Sequence, residues 1–284
     1  MKFGIRYSTP HFGVDPAKLT RFAQDAEELG FESLYVPEHI ALQPGTKVGP
    51  VELSSSLPYG DPLDCLTFAA AVTSRILLGT GVLLLPYHQP VVLAKRLATV
   101  DVLSGGRLRL LTVGVGALPG EAAAAGVDFA TRGRRADEAI EVLQSLWAGD
   151  ENGVSHAGEF FGFENLCSFP KPTGSGTLPI HVGGSSPAAA RRAGRCGDGF
   201  FPGGGLSAED RRSRLELARA TAAEAGHDPD TLQYTRWGST GMSEEDVREL
   251  AGEGVTRVVV TPAAVDPAGW RAEMTAFART HGLG

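Results

Sequence analysis

Cysteine is scarce, with only 3 in 284 residues, at positions 65, 167 and 196. Odd in number and widely spaced, they form neither a disulfide framework nor a zinc-ligand pattern. No block of like charge occurs, and 26 basic against 33 acidic residues leave a formal net charge of −7. Such a surface repels bare nucleic acid, so no nucleic-acid partner is expected. The longest apolar run, residues 76–86, is too short to cross a bilayer and is interrupted by Gly79, Thr80 and Gly81; it reads as a buried strand. Residues 1–6 pass directly into a strand pattern without a signal-peptide profile, so a soluble cytoplasmic protein with no membrane partner is expected. Three motifs are also missing. There is no G-x-S-x-G elbow, no H-E-x-x-H or H-x-H metal spacing, and no G-x-G-x-x-G in the first strand-to-helix turn. The metal expectation is therefore none. With 42% hydrophobic and 21% charged residues, the composition also excludes a disordered chain and a coiled coil.

What is present is an alternation of strands and helices from end to end. The 37 glycines and 18 prolines supply many short turns. Strand patterns fall at residues 2–8, 33–36, 76–84, 107–115, 179–182, 199–201, 232–238 and 255–260. Helical patterns follow at 15–29, 61–74, from Pro90 to about 104, at 133–148, from about Pro187, Ala208 and Ser243, and at 268–281. Residues 149–178, rich in Gly, Asn, aromatic residues and Pro with a short extended piece at 159–163, read as one long excursion rather than a second domain. Eight strands each followed by a helix predict an α/β fold, a closed (β/α)8 TIM barrel forming a single domain over residues 1–284. An open doubly wound sheet is the rival, disfavoured by the missing glycine fingerprint.

In such a barrel, chemistry gathers where strands end at the C-terminal rim. The residues there are His11, then Glu38 and His39, then His88, then Gly114, Gly116 and Glu121, then Gly183-Gly184-Ser185-Ser186. The rim is rich in Gly and His and poor in acids. Glu38 and Glu121 alone would have to form any glycosidase pair. The Gly-Gly-Ser-Ser turn precedes a helix that Pro187 begins. It reads either as an anion site made of backbone N–H groups or as an ordinary cap and tight turn. His39 follows Pro37 and Glu38 at a strand mouth, and an imidazole donates or accepts a proton near neutral pH. In an extended segment Glu38 points the opposite way, which suits an orienting role.

Five stretches together resemble the bacterial luciferase-like superfamily of flavin and deazaflavin oxidoreductases, most closely its actinobacterial branch of coenzyme F-420-dependent enzymes. They are "FAQDAEELGFESLYVPEH", "ILLGTGVLLLPYHQPVVLAKRLATVDVLSGGRL", "GVDFATRGRRADEAIEVLQSLW", "FPKP" and "PIHVGGSSPAAARRAGRCGDGFFP", in order over residues 1–202. The resemblance implies a TIM barrel with a cofactor ring across the strand ends. It implies His39 as the catalytic residue near the reactive centre. It implies Glu38, Gly81, Val82, Gly114, Gly116, Gly183, Gly184 and Ser185 as the cofactor-binding set. Within this set, Gly81–Val82 matches a non-prolyl cis peptide behind the ring, and Gly183 and Gly184 match the phosphate-binding turn. The "SGGR" segment, residues 104–107, falls on the opposite rim and reads as a helix C-cap and structural turn.

Two departures stand out. Deazaflavin members carry Asp-His where this chain has Glu38-His39, a pairing closer to that of flavin monooxygenases. Ala117 lies near the place of a general acid in relatives that oxidise sugar phosphates, so that mechanism is not expected. Three functions follow in order. The first is hydride transfer between coenzyme F-420 and a small organic molecule. The second is an FMN-dependent monooxygenase using O2 and a partner flavin reductase. The third is a degenerate, non-catalytic cofactor-binding barrel, suggested by Ala117 and Pro119. A homodimer and a reductase that supplies reduced cofactor are the further partners the resemblance implies.

Overall fold

The computed structural model describes residues 1–48 and 51–284. Eight parallel strands form a closed barrel: β1 (Lys2–Arg6), β2 (Ser33–Val36), β3 (Leu77–Thr80), β4 (Leu108–Gly114), β5 (Ile180–Gly183), β6 (Gly199–Phe201), β7 (Gln233–Ser239) and β8 (Arg257–Thr261). Each pairs with the next in sequence, and β8 returns to β1 with Val260 opposite Ile5. The helices outside are α1 (Pro16–Glu28), α2 (Pro62–Val72), α3 (Pro90–Leu103), α4 (Arg132–Ala148), α5 (Pro187–Cys196), α6 (Ala208–Glu224), α7 (Glu244–Gly252) and α8 (Pro267–His281). The expected TIM barrel is the observed fold.

Strand periodicity sorts every strand into two faces. Phe3, Ile5, Leu34, Val36, Leu111, Val113, Ile180, Val182, Val258 and Val260 belong to the layer between strands and helices. Alternate residues point into the lumen, where Tyr35, Leu110, Phe201 and Val259 form a separate buried cluster. Tyr35 fits because Gly4 and Gly79 face it: a Cβ on either would meet its ring at 2.9 Å and 2.8 Å respectively. His181 also faces the lumen, fully buried, and neither ring nitrogen has a hydrogen-bond partner among the described residues. Burial pushes its pKa down to about 3, and the nearby Arg257 charge adds to the shift.

The N-terminal rim is closed by charged groups that have found partners. Arg257, 1% exposed, donates to Glu32 at 2.6 and 3.0 Å and to Gln233 at 2.8 Å. The Ser104–Arg107 turn is structural, as its position suggested. Gly105 and Gly106 adopt φ of +68° and +85°, a region that favours glycine. Arg107 then reaches the carbonyls of Ala70, Thr73, Ile76 and Ser104. Buried Asp101 accepts from the Leu108 amide, Arg109, and both the amide and hydroxyl of Thr173.

Three local expectations change. The run read as one strand over 76–84 breaks at Gly81–Val82, and Leu83–Leu84 pairs separately with β4. The extended piece placed at 159–163 lies later, at Gly162–Leu166, in an antiparallel hairpin with Val154–Ala157. That hairpin is held to α4 by Glu138, which accepts from the Phe160 and Phe161 amides and from His156. A short helix, Pro119–Ala124, lies where the sequence reading had only a loop. Among the described residues no helix is long and apolar enough to cross a membrane.

Candidate active site

The strand ends of β1 to β5 open onto a cavity of about 610 Å3, within the usual range for a small-molecule site. All nine residues singled out from the sequence line it: Glu38, His39, Gly81, Val82, Gly114, Gly116, Gly183, Gly184 and Ser185.

His39 lies just beyond the end of β2. Its Nδ1 is 3.2 Å from both carboxylate oxygens of Glu121. Glu121 is 2% exposed and also accepts the Ile40 amide at 2.6 Å. A carboxylate only accepts, so Nδ1 carries the proton and Nε2 keeps the lone pair in the neutral ring. Glu38 faces elsewhere: it accepts the Leu84 amide at 2.5 Å and His88 Nε2 at 3.0 Å. His11 bonds the Ala263 carbonyl, so the three rim histidines serve three separate partners instead of converging on one point.

The Gly81–Val82 peptide bond is cis. The Val82 side chain lies between two glycines: a Cβ on Gly114 would meet its Cγ2 at 2.6 Å, and one on Gly183 its Cγ1 at 2.5 Å. These glycines are therefore small to admit Val82, a packing reason the sequence did not disclose. Gly116, at φ +77°, lies against the Tyr87 hydroxyl, which is buried without a partner among the described residues. The Arg132 guanidinium stacks 3.5 Å from the Phe129 ring centroid and donates to the Gly116 carbonyl at 3.1 Å.

Beyond β5 the chain turns at Gly184, at φ +113°. Ser186, not Ser185, caps α5 by accepting the Ala189 amide. The Ser185 hydroxyl instead accepts the Gly203 amide at 3.1 Å and ties this turn to the loop after β6. Tyr59 closes another side, its ring edge-on to His39 at 4.7 Å between centroids. Burial raises its phenol above the usual range, with Arg6 opposing the shift, so it is a neutral donor at neutral pH.

The luciferase-like monooxygenase family model matches residues 1–281. This chain belongs to the luciferase-like monooxygenase family. Similar proteins include an F420-dependent glucose-6-phosphate dehydrogenase from Beutenbergia cavernae, 32% identical over 87% of this chain and 75% of that protein. A 4-hydroxyprotoasukamycin monooxygenase from Streptomyces nodosus subsp. asukaensis is 33% identical over 82% of this chain and 62% of its own length. An F420-dependent secondary alcohol dehydrogenase shares the fold with a TM-score of 0.81, at 17% identity over 98% of this chain and 97% of that one. The protein is thus a luciferase-like oxidoreductase.

The sequence does not disclose the parts that Arg6 and Tyr59 on the wall, and Glu121 behind His39, take in the site. Glu121 falls at the rim in the sequence, but its contact with His39 does not show there. Its signal was present: Pro119 in the position that starts a helix puts this sole acid of the small-residue segment 114–127 on a first turn, as observed. Arg6 at the end of β1 gave no signal beyond its strand position.

Proposed function

We propose that this enzyme moves a hydride between coenzyme F-420 and a small organic molecule. The observation that carries this reading is His39, its Nδ1 committed to Glu121, on the wall of the cavity that ends at the Gly184–Ser186 turn. The cavity's features fit such a cofactor. Val82 presents an apolar surface for a flat ring, and Gly114 and Gly116 leave the wall beside it free of side chains. The amides at the start of α5 suit an anionic tail. Gly183, Gly184 and Ser185 would hold that tail, while Gly81, Val82, Gly114 and Gly116 would line the ring. When bound, the deazaflavin supplies or takes up the hydride. His39 Nε2 accepts or returns the matching proton, and Glu121 fixes the tautomer that makes this possible. Glu38 orients the chain at Leu84 and His88.

In this reading residues 1–284 form one barrel domain with residues 149–178 as its excursion, acting in the cytoplasm as a homodimer. FMN with O2 and a partner flavin reductase is the second reading, favoured by the Glu38-His39 pair. Titration of the protein with oxidised and reduced F-420 and FMN tests both. Preferential binding of F-420 by about tenfold or more supports the first. Preference for FMN replaces it with the monooxygenase, and binding of neither leaves the degenerate barrel.

A further inference from the structure

We propose that Arg6, assisted by the Ser8 hydroxyl, is the receptor for a carboxylate on the substrate, and that it sets this enzyme's specificity for small organic acids. Arg6 closes β1 on its lumen face, and Ser8, two residues on in extended backbone, shares that face. Both line the cavity. Ser8 precedes the Thr9–Phe12 helix without using its side chain as a cap, so its hydroxyl remains free to donate.

The charges that line the cavity, Arg6, Glu38 and Arg132, and Glu121 behind His39 differ sharply in what they already hold. Glu38 serves Leu84 and His88. Glu121 serves His39 and Ile40. Arg132 spends its guanidinium on the Gly116 and Phe129 carbonyls. Arg6 alone among these four is without such a partner. Its Nε is buried and meets no hydrogen-bond partner among the described residues. The one ionisable group acting on its charge is the Tyr59 phenol, which is neutral at neutral pH. Its contact is the Trp237 ring, 5.0 Å away by centroid. A desolvated cation without a counter-charge is unfavourable to fold around, and it is tolerated where an incoming anion completes it.

Position separates this receptor from the proposed cofactor tail site. In an eight-stranded barrel β1 and β5 lie on opposite sides, so Arg6 faces the cavity from across the Gly184 turn. Tyr59 links Arg6 to His39, being close enough to the first to feel its charge and in edge contact with the second. A carboxylate held by Arg6 therefore leaves the rest of a small acid beside Tyr59 and His39, where the proton is exchanged. Trp237 offers that acid a flat apolar neighbour.

This inference deepens the function proposed above and rests on it for the identity of the reaction, but its test does not. Benzoate and its neutral counterpart benzamide are titrated into the cofactor-free protein, the wild type and the variants R6Q and R6K, by calorimetry and by tryptophan fluorescence. Wild type should bind benzoate about tenfold or more tighter than benzamide, and R6Q should erase that difference. R6K, which keeps the charge but loses the fork, should retain part of it. Affinities of R6Q for F-420 and FMN, oxidised and reduced, should stay within about threefold. Equal binding of benzoate and benzamide by the wild type overturns the proposal. So does weakened binding of reduced cofactor in R6Q with benzoate unchanged, which would make the cation a partner of the anionic reduced ring. Should R6Q fail to fold, the benzoate-to-benzamide ratios of wild type and R6K decide alone. Failure of both cofactors to bind while benzoate selectivity persists would remove the hydride-transfer reading and leave this one standing.

Discussion

At the N-terminal rim Arg107 reaches four carbonyls and Asp101 collects donors from Leu108, Arg109 and Thr173. At the C-terminal rim Arg6 and the Tyr87 hydroxyl keep buried polar atoms that nothing in the described protein satisfies. The same residue types are spent on cohesion at one end and held in reserve at the other. Where polar groups are saturated, their loss should cost stability. Where they are unmatched, their loss should cost binding or turnover.

Asp101→Ala attacks the saturated end and should produce the largest effect. It strands the Leu108 and Thr173 amides and removes the counter-charge of Arg109, a loss of about 3–5 kcal/mol, read by urea denaturation. A loss below about 1 kcal/mol would mean that the rim's network is incidental to its cohesion.

His39→Ala tests the opposite end. Turnover should fall by about a hundredfold, about 2.7 kcal/mol of barrier, with cofactor affinity changed by less than about tenfold. The unfolding midpoint should move little, because His39 contributes no core packing. Single-turnover kinetics of the bound cofactor reads the first, and direct titration the second. Near-normal turnover would make His39 a packing residue.

His181 lies in the lumen between the two ends, and its effect appears only in acid. Its folded pKa of about 3 lies below the value near 6.5 expected for the unfolded chain. Between these values the unfolded state binds a proton that the folded state does not. Stability is therefore fully present above about pH 6.5 and falls as pH drops, by up to about 1.4 kcal/mol per unit. From pH 6 to 4.5 the wild type should lose about 2 kcal/mol more than His181→Leu does. Parallel pH profiles for the two proteins would contradict this.

Smaller effects are expected at the glycines. Gly184→Val forces φ +113° on a β-branched residue and moves the turn, so F-420 or FMN should bind about tenfold more weakly, about 1.4 kcal/mol. Gly183→Ala should cost about 1–3 kcal/mol through its clash with Val82. Val82→Ala in the same chain should restore about half of that, measured as a double-mutant cycle.

The strand and helix pattern was legible because short runs buried on both faces, as β2, β5 and β8 are, alternate with stretches of helical periodicity. The nine residues that the family resemblance implies also share one cavity, because strand ends in a closed barrel must converge. What escaped was set by contacts remote in sequence. Glu121 meets His39 across 82 residues. Gly114 and Gly183 are small because of Val82, not visibly because of themselves. Arg6 is informative only through the missing partner, and a sequence does not display a missing contact.

The buried layer of Tyr35, Leu110, Phe201 and Val259 is also a partition. Among the described residues these four side chains are buried between the C-terminal mouth and the Arg257–Glu32 pair, so the cavity is entered from the mouth. A ring lying against Val82 and a substrate held at Arg6 would share this one mouth. Occupancy of one would then narrow the way in and out for the other.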